Sequence, residues 1–140
     1  MPNLTAPEKK IILTFGYGNR KDYNIFLDSL REFNITCVID VRLSPRAWSR
    51  KWYGDAIKKL CLSENIRYIS RASLGNVSGC SEWIPPEKKE AEQTLLEVAE
   101  MLETGNVLLL CAEMDSSRCH RVGVASKLQD LTNASVKHLK

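Results

Sequence analysis

The segment that decides the fold is NVLLLCAEMDSSRCHR, residues 106–121. Its unbroken apolar run, residues 107–110, is typical of a strand that is buried on both faces of a parallel sheet. The run ends at Cys111, and a polar loop then leads into an amphipathic stretch that starts near Arg118. Open α/β sheets bind ligands beyond the carboxyl ends of their strands. We therefore expect the functional site where this strand passes to the following helix.

Apolar periodicity extends the same interpretation to the rest of the chain. It predicts strands at residues 11–15, 36–41, 66–70, 107–110 and 134–139, and helices at residues 22–33, 55–64, 87–104 and 119–131. Asp22 is the predicted N-cap of the first helix. The alternating order predicts an α/β fold, a three-layer α/β/α sandwich around a mostly parallel sheet of about five strands.

Length and composition fit one domain, because the chain has 140 residues, 44% of them hydrophobic, and a net charge of +3. We expect a flexible N-terminal segment, residues 1–10, followed by a single α/β domain, residues 11–140. No apolar run approaches the roughly 18 residues of a membrane span, and the N-terminus lacks a hydrophobic signal segment. We expect no membrane association and a cytoplasmic location, where the five cysteines would be free thiols.

Basic and aromatic side chains collect directly after the predicted strands, whereas the acidic residues concentrate on the third helix. The predicted anion- and substrate-binding residues are Gly16, Tyr17, Asn19, Arg20, Arg42, Arg46, Trp48, Arg118 and Arg121. Arginines beside helix N-termini suit a phosphate, and aromatic rings suit stacking on a base. We expect an anionic small molecule or a nucleic acid as the partner. Asp40, near the end of a buried strand, is expected to pair with Arg42, Arg46 or a backbone amide.

The residues predicted to be catalytic are Cys111, Glu113, Cys119 and His120. A thiol at a helix N-terminus near arginines has a lowered pKa and is a better nucleophile at neutral pH, and a histidine titrates in the range that general acid–base chemistry needs. Packing roles remain the alternative for each of these side chains. The same four could also form a metal-ligand set, but their C-x7-C-H spacing matches no zinc pattern. We predict no metal and leave the cofactor open.

Four motifs occur together in this chain. They are TFGYGN at residues 14–19, DVR at 40–42 with PR at 45–46, LG at 74–75, and CAE at 111–113 with CHR at 119–121. As a set they resemble the domain-of-unknown-function 488 family over about residues 11–131. The family typically has His-Ser where this chain has Tyr17-Gly18, so no histidine role in the first loop carries over, and its Leu-Gly-Gly element is Leu74-Gly75-Asn76 here. The resemblance implies one α/β domain with a site built from these four loops, and it implies no particular reaction.

Three functional hypotheses follow from the residues. The leading one is a small cytosolic enzyme that acts on a phosphate-bearing substrate, related to nucleotides or nucleic acids, through a Cys/His/Arg site at the carboxyl edge of the sheet. The alternative is a non-catalytic nucleic-acid or nucleotide-binding module, whose binding would depend on salt. A further alternative is a metal-binding or thiol/sulfur-transfer protein. The last option draws on a weaker likeness to a rhodanese, from which the glycine-free, acidic loop after Cys111 departs. The sequence names neither the reaction nor the oligomeric state.

Overall fold

The computed structural model describes residues 10–18, 20–47, 49–80, 82–112 and 119–139. Within these ranges the strands are β1 (Ile11–Gly16), β2 (Ile35–Asp40), β3 (Arg67–Ser70), β4 (Asn106–Cys111) and β5 (Ser135–His138). The helices are α1 (Asn24–Glu32), α2 (Gly54–Ser63), α3 (Lys88–Leu102) and α4 (Arg121–Thr132), and short 3-10 helices lie at Arg50–Trp52 and Ala72–Leu74. None of the helices in the described part of the chain is long and apolar enough to cross a membrane. The predicted flexible segment lies outside the described residues except for Lys10.

The five strands form one sheet in the order β3-β2-β4-β1-β5, and every pairing is parallel. β4 lies at the centre, hydrogen-bonded to β1 on one side and to β2 on the other. The predicted α/β fold is confirmed, and the sheet is parallel throughout rather than mostly parallel.

Burial on both faces explains the unbroken apolar run in β4. Leu108 and Leu110 pack in one cluster with Phe26 of α1 and Ile57 of α2. On the opposite face, a second cluster joins β4 to α3 and α4, and its members include Val107, Leu109, Val98 and Leu128. Helices therefore cover both faces of the sheet, which is consistent with the predicted three layers.

The predicted starts of α1 and α4 differ from the observed ones by two residues, and those of α2 and α3 differ by one. α1 begins at Asn24 with Tyr23 as its N-cap, and the carboxylate of Asp22 instead accepts a hydrogen bond from the Asn24 amide at 3.0 Å. The Asp22 side chain thus forms a local turn just before the helix. α4 begins at Arg121 with His120 as its N-cap, so Cys119 precedes this helix rather than opening it.

Backbone hydrogen bonds continue past the carboxyl ends of the three central strands, beyond the regular pairing of the sheet. The Tyr17 amide, after β1, donates to the Cys111 carbonyl at 3.1 Å, and the Val41 amide, after β2, donates to the Leu110 carbonyl at 3.1 Å. The segments that leave β1, β2 and β4 therefore start side by side at one edge of the sheet, as the sequence analysis expected.

Candidate functional site

Two thiols lie in contact at the carboxyl end of β4. Cys111 is the last residue of this strand, and its Sγ lies 2.7 Å from the Sγ of Cys119, just before α4. Both side chains are buried, and none of the five cysteines, all of which lie in the described part of the chain, forms a disulfide. The separation exceeds the roughly 2.05 Å of a disulfide bond and is within hydrogen-bonding range of one thiol for the other.

The imidazole of His120 faces this pair of sulfurs with one of its nitrogens. Nδ1 lies 3.9 Å from Sγ of Cys111 and 3.8 Å from Sγ of Cys119. Nε2 lies 2.9 Å from the carbonyl oxygen of Val41. A carbonyl oxygen only accepts hydrogen bonds, so Nε2 carries a hydrogen. In the neutral ring Nδ1 is then an acceptor directed at the two thiols.

The surroundings of Cys119 favour its thiolate. The hydrogen bond with Cys111 contributes most to lowering the pKa of Cys119 well below that of an ordinary thiol, and burial opposes this effect. His120, the backbone amide of Arg121 and the positive charge of Arg121 lower the pKa of Cys119 further. That amide lies 3.5 Å from the sulfur. An ionised Cys119 can only accept hydrogen bonds, so in that state the Cys111 thiol is the donor.

Positive charge concentrates next to the thiols, at the carboxyl end of β1. Arg121 is fully buried. Burial and, after it, the charge of Arg121 lower the pKa of Arg20, and the same two causes lower the pKa of His138 on β5. The guanidinium of Arg20 lies over the Phe15 ring, and its Nε donates to the Gly16 carbonyl at 3.1 Å. In the described part of the chain no acceptor reaches the buried Nη2 of Arg20.

The guanidinium of Arg42, unlike that of Arg20, hydrogen-bonds to several acceptors within the protein. Its guanidinium pairs with both carboxylate oxygens of Asp40, at 2.8 and 2.6 Å, which is one of the pairings that the sequence analysis expected. It also donates to the Trp52 carbonyl at 2.8 Å and to the Arg46 carbonyl at 3.3 Å. Arg42 is 6% exposed, so its donors hold the loop that follows β2 and leave little access for a ligand.

Tyr17 is likewise built into the structure. Its ring stacks on Trp52, with centroids 5.3 Å apart and an interplanar angle of 11°, and the guanidinium of Arg42 lies 5.3 Å from its centroid. Burial raises the pKa of Tyr17. Trp52 thus covers one face of the Tyr17 ring. A role of Tyr17 in stacking on a base stays a prediction.

The remaining predicted residues divide into two groups. Gly16 ends β1, pairs with Cys111 across the ladder and offers its carbonyl to Arg20, and the side chain of Arg46 is exposed at the same edge. Outside the described residues lie Asn19, Trp48, Glu113 and Arg118. Their predicted roles stay predictions. The structure therefore brings together Cys111, Cys119 and His120, with Arg121 and Arg20 beside them.

One contributor to the site has no counterpart in the sequence analysis. The carbonyl of Val41 fixes the imidazole of His120, and a backbone carbonyl has no residue-specific signature in a sequence. Its position right after β2, next to β4 in the sheet, is the signal that could have located it once the strand order is known.

The three clustered side chains could also hold a metal ion. The ligand atoms of Cys111, Cys119 and His120 all lie within 4.8 Å of one another. Two thiolates and an imidazole suit Zn²⁺ with an open fourth position, but thiolates bound at about 2.3 Å in a tetrahedron lie about 3.8 Å apart. The sulfurs, at 2.7 Å, would have to separate by about 1 Å to bind such an ion. The donor set fits and the present spacing does not.

Comparison with known proteins identifies a protein family. The model of a family described as domain of unknown function DUF488 matches residues 22–128 of the 140-residue chain. No curated protein and no solved structure matches.

Proposed function

The chain belongs to the DUF488 family, whose description assigns no reaction, and we propose from the site itself that this protein is a thiol-dependent enzyme acting on a phosphate-bearing substrate. The observation that carries the proposal is the environment of the Cys119 sulfur. It lies 2.7 Å from the Cys111 thiol, 3.8 Å from His120 Nδ1 and 3.5 Å from the Arg121 amide. The Cys111 thiol and the Arg121 amide can each donate to an ionised Cys119 sulfur, and His120 does so once Nδ1 has taken up the thiol proton. The thiolate is the nucleophilic form of cysteine.

Each side chain of the cluster has a distinct role in this proposal. Cys119 attacks an electrophilic centre of the substrate, and the bond between that centre and its leaving group breaks as the covalent intermediate forms. Cys111 donates its hydrogen to the resting Cys119 thiolate and so keeps it ionised. His120, held with its hydrogen on Nε2 by Val41, presents an acceptor at Nδ1 that can take a proton during turnover.

Positive charge near the thiols favours an anionic substrate. The charge of Arg121 is close enough to Arg20 to lower the pKa of Arg20, and an anion bound by Arg20 would stabilise its charged guanidinium group. Nη2 of Arg20 has no hydrogen-bond partner among the described residues, so it can donate to a bound phosphate. A nucleotide or a component of a nucleic acid is the phosphate-bearing substrate that we propose. The reactive thiols also require a reducing environment, in line with the proposed cytoplasmic location.

Ligand protection of Cys119 tests this proposal. Reduced protein is alkylated in the presence of inorganic phosphate, a panel of nucleotides and short RNA, and each cysteine is quantified by peptide mass spectrometry. We expect one class of phosphate compound to slow the modification of Cys119 while leaving Cys80 unaffected. Cys80 is the exposed free thiol of the chain and therefore serves as the internal control. Equal rates at Cys119 with and without every compound would count against a phosphate-bearing substrate.

Replacement of Cys119 with serine distinguishes the proposed enzyme from a non-catalytic module that binds nucleic acid. Such a module would bind RNA or DNA with an affinity that falls steeply with salt, and replacing Cys119 with serine would leave that affinity unchanged. The enzyme that we propose loses turnover with this replacement even where it still binds the ligand.

A second candidate function, a metal centre, rests on the orientation of His120. Metal-binding histidines usually donate their second N–H to a carbonyl or carboxylate, and His120 does this with Val41 at 2.9 Å. Cobalt(II) substitution tests it, since thiolate ligation gives intense charge-transfer absorption. One equivalent of cobalt bound in the wild type, and none in a Cys111→Ser variant, would support the metal centre. Absence of the absorption in the wild type would remove it.

A further inference from the structure

The contact between the two sulfurs is held by the framework on both sides. Cys111 is paired with Gly16 in the ladder, and its carbonyl accepts the Tyr17 amide at 3.1 Å. Cys119 is placed by the start of α4, where its carbonyl accepts the Val122 amide at 3.3 Å. Both thiols also belong to the buried cluster between the sheet and helices α3 and α4. The sheet and the start of α4 thus place the two cysteines next to each other, with their sulfurs 2.7 Å apart.

We propose that Cys111 and Cys119 are a redox couple, in which a hydroperoxide oxidises Cys119 and Cys111 resolves the product to an intramolecular disulfide. This inference rests on the proposed function, because the disulfide withdraws the nucleophile that we assign to Cys119. It adds a second reactant, a hydroperoxide, and a role for Cys111 that the substrate reaction does not require.

The chemistry balances in two steps. The Cys119 thiolate attacks the terminal oxygen of the hydroperoxide, the O–O bond breaks, and the sulfur becomes a sulfenic acid. The alkoxide that leaves, or hydroxide from hydrogen peroxide, takes up the proton that the Cys119 thiol had released on ionisation and becomes an alcohol or water. The Cys111 sulfur then attacks the Cys119 sulfur, the S–O bond breaks, and the hydroxide leaves as water with the proton of the Cys111 thiol. His120 Nδ1, 3.9 Å from the Cys111 sulfur, is placed to relay that proton. Overall, two thiols are oxidised by two electrons and one peroxide is reduced.

The other three cysteines lack one or another requirement of this chemistry. Burial raises the pKa of Cys37, and burial raises the pKa of Cys61 to about 12, so both remain thiols at neutral pH. Cys80 is exposed, and the contact recorded for its sulfur is with the Ser78 hydroxyl at 3.3 Å. Cys111 and Cys119 are the two cysteines whose sulfurs are in contact, at 2.7 Å, and a reactive cysteine beside a resolving cysteine is typical of redox sensors.

Formation of the bond needs little movement. The sulfurs must approach from 2.7 Å to about 2.05 Å, which small rotations of the two side chains can supply. Binding of a metal ion would instead require the two sulfurs to move apart, because two thiolate ligands of a tetrahedral metal ion lie about 3.8 Å apart. The present geometry is therefore closer to the disulfide than to the metal complex.

The test uses the full chain, reduced and treated with a chelator to remove metal, and then exposed to one equivalent of hydrogen peroxide. We expect the intact mass to fall by two hydrogen atoms, peptide mapping to assign one disulfide to Cys111 and Cys119, and a dithiol reductant to reverse it. A Cys111→Ser variant should stop at the sulfenic acid of Cys119, which dimedone traps. A Cys119→Ser variant should form neither product, and Cys80→Ser should behave as the wild type. Circular dichroism verifies that each variant is folded. If Cys111→Ser does not fold, Cys111→Ala replaces it in the experiment.

Two outcomes would overturn the inference and differ from failure of the proposed function. If Cys119 is alkylated rapidly at neutral pH but peroxide yields no disulfide, or carries Cys119 to a sulfinic acid in the wild type, the redox couple is wrong while the nucleophile stands. If Cys119 is alkylated no faster than Cys80, the proposed function fails first, and the redox couple fails with it.

Discussion

Nε2 of His120 donates a hydrogen bond to the carbonyl oxygen of Val41 at 2.9 Å, across 79 residues of sequence. This bond joins the end of β2 to the start of α4 and fixes which nitrogen of the imidazole carries hydrogen in the neutral ring. The consequence is chemical as well as structural, because Nδ1 is then left as an acceptor facing Cys111 and Cys119. The site thus depends on a neighbour relation between β2 and β4 in the sheet.

Replacing His120 tests its contribution to the Cys119 thiolate. In a His120→Ala variant we expect the midpoint of the Cys119 alkylation profile to move to higher pH, because one group that lowers the pKa of Cys119 is removed. A hydrogen bond to a charged group contributes about 1.5 kcal/mol, which corresponds to about one pH unit. His138→Ala is the matched control, since that imidazole contacts the Thr14 hydroxyl instead. A profile unchanged by His120→Ala, or moved equally by both, would remove this role of His120.

Replacing Arg20 tests the anion site. In an Arg20→Gln variant we expect affinity for the protecting phosphate compound to fall on the order of tenfold, because a charge-assisted hydrogen bond contributes about 1.5–3 kcal/mol and about 1.4 kcal/mol is a factor of ten. The loss should be largest at low salt. Isothermal titration calorimetry measures it. Arg67→Gln is the control, because Arg67 is exposed at the opposite, amino end of β3. Equal affinities of the wild type and Arg20→Gln would rule out Arg20 as a phosphate ligand.

Replacing Asp40 tests the support beneath the site. Asp40 is fully buried and accepts from Arg42 and from the Tyr68 hydroxyl at 2.6 Å. In an Asp40→Asn variant we expect the free energy of unfolding to fall by about 3–5 kcal/mol, because Arg42 would remain as a buried charge without its partner. Urea denaturation measures this. The exposed pair of Arg31 and Glu64 supplies the control, and Glu64→Gln should lower the unfolding free energy far less. A similar decrease in the free energy of unfolding in both variants would mean that the buried Asp40–Arg42 pair stabilises the fold no more than the Arg31–Glu64 pair.

The sequence predicts much of this molecule because its strongest patterns are local. The run at residues 107–110 and the thiol that follows it identify the central strand and the position of Cys111 without knowledge of any neighbour. The short fifth strand, predicted at residues 134–139, is confirmed as Ser135–His138. The observed start of α4 lies two residues after the predicted one, because hydrophobic periodicity does not distinguish the first helical turn from the residues that lead into it.

What the sequence does not predict depends on which strands are neighbours. The placement of β4 between β1 and β2 brings the Val41 carbonyl to His120, and no pattern along the chain encodes that order. The same holds for the stacking of Tyr17 on Trp52, which joins the segment after β1 to the segment after β2. The pairing of Arg42 with Asp40 is local and is one of the pairings expected from the sequence, and the predicted ligand-binding roles of Arg42 and Tyr17 stay predictions.

The central claim is that Cys119 is a thiolate at neutral pH, and the most direct measurement is its alkylation rate from pH 4 to pH 10, with each cysteine quantified separately. The account predicts that Cys119 reaches its plateau well below the pKa of about 8.5 of a free cysteine. Cys61, whose pKa burial raises to about 12, should stay unmodified over the same range in the folded protein. A Cys119 profile that rises only near the pH of about 8.5 expected of a free cysteine would contradict the account.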